Sequence, residues 1–169
     1  MNKEVLKTIA PLIGKKCCRV RIGDTRSLSL GFGKKIYHNS PKLSDTYYGE
    51  WEIGTYYCAW RIIKDNNILY GKNDPEDDYD VFTQQLKKLH FGSLTSIDQL
   101  NNYDIRFSFS SGIVIEFIAT IGFDDEYFHI FGPEDIYIGL LPGGKWEISK
   151  ANEPSLRKRK KGWLSRRSS

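Results

Sequence analysis

The sequence predicts an α+β domain: a mainly antiparallel, twisted sheet or small sandwich of eight to ten short strands with two helices. Three observations lead there. Residues 50–63 hold Trp51, Ile53, Tyr56, Tyr57, Cys58, Trp60 and Ile62 without a proline, which suits a strand apolar on both faces and central in its sheet. Turn signals such as Asp65-Asn66, Ser111-Gly112 and Gly143-Gly144 recur between short alternating runs. Only two segments carry helical spacing.

In chain order, Val5, Leu6 and Ile9 predict a short helix over 3–9, ended by Pro11 and Gly14. Cys17–Ile22 alternates Cys18, Val20 and Ile22 against Cys17, Arg19 and Arg21, and a turn at 23–26 leads to a partner carrying Leu28, Leu30 and Phe32, extended by residues 34–38. After the aromatic stretch at 50–63, the Asp65-Asn66 turn returns Ile68–Tyr70 beside it. Val81–Leu89 follows an acidic run, carries two lysines near its end and stops at Gly92, a helix that complements its own dipole. From Ser93 onward the pattern is a meander: strands at 94–100, 105–109 and 113–121, then three short ones ending at Trp146-Glu147-Ile148. Trp51-Glu52-Ile53 is faintly echoed by residues 127–130, and a shared antiparallel rhythm explains the echo as simply as duplication does.

At 169 residues and 40% hydrophobic content, residues 1–153 are read as one domain. Residues 154–169 are read as a basic, flexible tail. Arg157, Lys158, Arg159, Lys160, Lys161, Arg166 and Arg167 concentrate there, leaving 18 of the 25 basic residues against all 21 acidic ones in the body. The body is therefore acidic and the tail basic, two surfaces of opposite sign. No segment has the length of an apolar membrane span and no secretory signal opens the chain, so a cytoplasmic location is expected.

Catalytic patterns are sparse. Cys58 sits among aromatics and reads as a buried thiol rather than a nucleophile. His38, His90 and His129 belong to no motif, and three cysteines without Cys-x-x-Cys spacing exclude a zinc site of the usual pattern and a disulfide framework. Residues 31–35, Gly-Phe-Gly-Lys-Lys, lack the spacing and the hydroxyl of a phosphate loop. No cofactor or metal is expected, and the chain reads as non-enzymatic.

Binding is the reading that remains. Asp74, Glu76, Asp77, Asp78 and Asp80 lie in one turn, Asp124, Asp125 and Glu126 in another, and together they suit a contact surface for a basic protein. The alternative is a nucleic-acid interface in the tail, its cations on phosphates and Trp163 stacked on a base. A third reading places a small-molecule pocket among Tyr47, Tyr48, Tyr56 and Trp60.

Three stretches, 12–23, 28–33 and 49–62, with their Leu12-Ile13-Gly14-Lys15 opening, Leu-x-Leu-x-Phe-Gly strand and Gly49-Glu50-Trp51 then Cys58-x-Trp60-Arg61-Ile62 strand, resemble a family of small uncharacterised bacterial proteins. Phe109-x-x-Gly112-x-x-x-x-Phe117 and Pro142-Gly143-Gly144-Lys145-Trp146 look similar too. The resemblance implies no active site. Some proteins of this kind look like the immunity partners encoded with bacterial toxins, and the basic tail departs from the pattern.

Overall fold

A computed structural model describes residues 1–39, 45–55, 57–120, 122 and 126–152. Among them are two α-helices and eleven strands, arranged in a six-stranded sheet, β1-β2-β3-β9-β10-β11, and a five-stranded sheet, β5-β4-β8-β7-β6, with every neighbouring pair antiparallel. The α+β class is as expected from the sequence. The two sheets share one apolar core, in which Phe107 and Phe117 of the second sheet meet Phe128 of the first.

The first half runs α1 (Lys3–Ile9), β1 (Cys17–Ile22), β2 (Leu28–Tyr37), β3 (Tyr47–Gly54), β4 (Ala59–Lys64) and β5 (Asn67–Gly71). Asn2 caps α1 by accepting from the Val5 amide at 2.9 Å. Asp65 and Asn66 both take positive φ in the β4–β5 turn, the conformation that asparagine and aspartate tolerate best. The second half runs α2 (Tyr79–Lys87), β6 (Leu94–Gln99), β7 (Ile105–Phe109), β8 (Val114–Ile118), β9 (Phe128–Phe131), β10 (Ile136–Leu141) and β11 (Lys145–Lys150).

The stretch 50–63 is not one strand, and this accounts for the eleventh. β3 lies between β2 and β9, whereas β4 lies between β5 and β8 in the other sheet. The chain changes sheets at Thr55–Cys58. There the Thr55 hydroxyl donates to the Tyr127 carbonyl at 2.7 Å and accepts from the Cys58 amide at 3.0 Å, a side-chain turn that substitutes for strand pairing. The crossing also shifts the alternation: Trp51 and Ile53 are buried on odd positions, Trp60 and Ile62 on even ones. In β1 a bulge between Cys17 and Arg19 likewise interrupts the expected alternation, so that Cys17 packs against the core.

The two halves repeat one another, strand for strand. Read as α1-β1-β2-β3-β4-β5 and α2-β6-β7-β8-β9-β10, each supplies three neighbouring strands to one sheet and two to the other, with β11 added to the second. The register of the opening hairpin coincides in detail. Cys17 pairs with Phe32 before the bulge and Arg19 with Gly31 after it; Leu94 pairs with Phe109 and Ser96 with Ser108 around the same bulge. The Gly23 amide donates to the Ser27 carbonyl as the Leu100 amide does to Asp104. Across the join, Cys17 donates to Gly92 and Leu94 to Lys15, each the image of the other, about a bridge between the equivalents Lys16 and Ser93. Phe32 stacks on its own counterpart Phe109 at 6.1 Å. The resemblance is of backbone and apolar position: Val5, Ile9, Leu28 and Leu30 answer to Phe82, Leu86, Ile105 and Phe107, all buried. The echo between residues 51–53 and 127–130 is a different relation, since β3 and β9 are sheet neighbours with Ile53 opposite Ile130.

On the outer face of the five-stranded sheet, Glu116 is 3% exposed between Arg61 and Arg106, which approach its two oxygens at 2.5 and 2.6 Å. Burial raises its pKa, but the hydrogen bonds and charges of Arg106 and Arg61 outweigh that and hold it below its ordinary 4.5. A depressed carboxyl stabilises the fold above the unfolded-state value and loses that contribution as pH falls through the folded one. The urea midpoint of Glu116→Gln is therefore expected to lie below the wild type at neutral pH, with the gap narrowing as pH drops below 4.5. A gap independent of pH would refute the assignment.

Candidate functional site: an acidic concavity at the start of α2

β1 is an edge strand of its sheet, and α2 packs beside it: the Ile22 amide donates to the Thr83 hydroxyl at 3.0 Å. That contact carries the N-terminus of α2 to the β1–β2 turn. Asp78 is the N-cap, its side chain accepting from the Asp80 and Val81 amides at 2.9 and 3.0 Å. The preceding loop is drawn in by Arg26, whose guanidinium donates to the carbonyls of Lys72, Asp74 and Glu76 and to the Asp77 carboxylate at 2.8 Å. Arg26 takes φ 55° in a short 3-10 turn, and its own carbonyl accepts from the Trp60 indole at 2.7 Å. The loop is thus fastened to the core through one side chain.

Of the acidic residues expected at the surface, this arrangement separates two kinds. Asp74 accepts from the Gly71 amide at 3.0 Å and Asp78 caps the helix, so both are occupied in shaping the loop. Asp77, 97% exposed in its side chain although paired to Arg26, and exposed Asp80 present charge to solvent. Asp24, from the distant β1–β2 turn, joins them. Asp24, Asp77, Asp78 and Asp80 together line a concavity of about 300 Å³ with Arg21 and Tyr79. Tyr79 adds exposed aromatic surface to it.

Sequence reasoning missed Asp24 and Arg26 because their roles depend on the packing of α2 against β1. The turn Gly23-Asp24-Thr25-Arg26 was legible, and its neighbour in space was not. In the repeat, Asp24 answers to Asn101, Arg26 to Tyr103 and Asp80 to Lys3, so the fold is built a second time without these charges.

The second acidic turn is not shown to join the site. Asp124 and Asp125 lie outside the described residues, and Glu126 engages the Nδ1 atom of His129 at 2.6 Å. The tail residues Arg157, Lys158, Arg159, Lys160, Lys161, Trp163, Arg166 and Arg167 also lie outside them. A pocket among Tyr47, Tyr48 and Trp60 is overturned: Trp60 is 2% exposed in the core beside Phe82, while Tyr48 is exposed and stacks on His38. Tyr56 lies outside the described residues.

Cys58 is 1% exposed, and its thiol donates to the Tyr127 carbonyl at 2.9 Å. Burial pushes its pKa to about 11, against the thiolate a nucleophile requires. Among the described residues no cluster of three His, Cys, Asp or Glu has the arrangement to hold a metal ion, and no helix is long and apolar enough to cross a membrane. No protein-family model, curated protein or solved structure matches the chain.

Proposed function

We propose that this chain is a non-enzymatic bacterial binding protein, of the immunity or antagonist type, that neutralises a basic protein partner through the acidic concavity. The observation that supports this reading is the convergence of Asp24 with Asp77, Asp78 and Asp80 around one hollow, held by Arg26 and lined also by exposed Tyr79. A loop fastened before contact loses less entropy on binding, and an aromatic beside the charges suits the centre of an interface. The charge field chiefly speeds encounter.

An affinity capture from the native host's lysate, with and without nuclease, identifies the partner. One stoichiometric basic protein that survives nuclease is the expected result, and recovery of nucleic acid alone would overturn it. With that protein in hand, Asp24→Lys/Asp77→Lys/Asp80→Lys should slow association about tenfold or more at low salt while leaving dissociation less affected. Asp78 is left intact because its loss would unravel the start of α2. An unchanged on-rate would refute the site.

A further inference from the structure

A second concavity, of about 490 Å³, lies where the first half of β1 faces the end of α2. We propose that it binds a small organic anion, a phosphate or carboxylate group carried on an apolar body, independently of the acidic site. Its volume falls within the roughly 300–1,000 Å³ of small-molecule pockets. Lys16, just before β1, Lys87 at the end of α2 and His90 just beyond it converge on it, all exposed, and no carboxylate is among its described lining residues. Among the described residues none of the three has an ion-pair partner, whereas nearby Arg19 is neutralised by Asp45 and Glu52. Val20 and Phe91 give the hollow an apolar floor.

The internal repeat supplies a control for this reading. The same backbone is built twice, and the position of each cation can be followed into the other copy. Lys16 answers to Ser93, Arg19 to Ser96, Lys87 to Ala10 and His90 to Ile13. The two lysines, the arginine and the imidazole are all absent there, so the sheet edge itself does not demand them. Lys87 and His90 sit favourably at the carbonyl end of α2, but Lys16 reaches the same space from a different element. A concentration of unpaired positive charge on a body whose net charge is negative is an electrostatic trap for anions.

The test is a heteronuclear NMR titration of the full-length protein with inorganic phosphate and with phenyl phosphate. Saturable shifts at residues 16–20 and 87–92 are expected, with phenyl phosphate about tenfold tighter because its ring reaches the apolar floor. Lys16→Glu/Lys87→Glu should weaken binding about tenfold or more, and Lys64→Glu, at the end of β4 in the other sheet, should leave it unchanged. The circular dichroism spectrum and melting temperature of each variant confirm that it folds. Absence of saturation into the millimolar range, shifts confined to residues 157–167, or equal affinity in the double variant would overturn the proposal.

Discussion

Trp60→Ala is expected to be among the most damaging single substitutions in the chain, lowering unfolding free energy by about 3–5 kcal/mol. Against a total of about 5–15 kcal/mol for a domain of this kind, that is a large fraction. The indole is fully enclosed, packs on Phe82 of α2 at 5.9 Å, and donates to the Arg26 carbonyl at 2.7 Å. Its removal leaves a cavity between β4 and α2 and frees the turn from which Arg26 grips the acidic loop. Stability and partner binding should therefore fall together. Trp60→Phe separates the two contributions: it keeps most of the packing and gives up the hydrogen bond, at about 1 kcal/mol plus the smaller ring's deficit. Chemical denaturation of both variants measures the effects, and a loss below about 1 kcal/mol for the alanine would refute the packing argument.

Gly49→Ala should rival it for a different reason. A Cβ at this position would stand 2.4 Å from the Phe32 amide nitrogen, 2.7 Å from the Gly31 Cα and 2.7 Å from the Trp51 carbonyl oxygen. All three are backbone atoms. No rotamer change relieves such contacts, so β2 and β3 must separate where their register already shifts between Phe32 and Lys35. An overpacking cost of about 3 kcal/mol or more is expected. For Gly139→Ala the nearest atoms belong to the Tyr137 side chain, at 3.1 Å and beyond, and it serves as the comparison in the same kind of strand environment. Thermal unfolding of the pair should place Gly49→Ala well below Gly139→Ala, and similar melting temperatures would show that the β2–β3 seam is softer than its geometry indicates.

The parts of this fold legible in the sequence were those decided locally. Helix α2 announced itself through acid before it, lysines near its end and Gly92 beyond; β1, β7 and the Asp65-Asn66 turn followed from alternation and turn chemistry. What stayed hidden depended on distant partners. Nothing in the run from Trp51 to Ile62 marks the change of sheet, because Thr55 anchors to Tyr127, a residue far along the chain. Two central strands placed end to end look the same as one long one. The bulge after Cys17 was invisible for a similar reason, being set by the register with β2 and by the join to Gly92. Of the acidic site, the run from Asp74 to Asp80 was evident from composition, but Asp24 and Arg26 entered only when α2 was seen against β1. The repeat was obscured because the two halves share apolar positions and hydrogen bonds rather than residue identities.

The exchange of strands between halves also governs how the chain must fold. β3 finds its second neighbour in β9, and β4 finds its own in β8. A nascent chain that has released only its first half holds two apolar strands with bare edges and nothing yet made to cover them. The hairpins within the first half can form at once, but native pairing of these two edges waits for residues 114–131, so their loop closure is long. Such topologies fold in milliseconds to seconds rather than microseconds. During synthesis, the interval between the emergence of β4 and that of β9 is the period in which this chain is most exposed to misassembly with its neighbours.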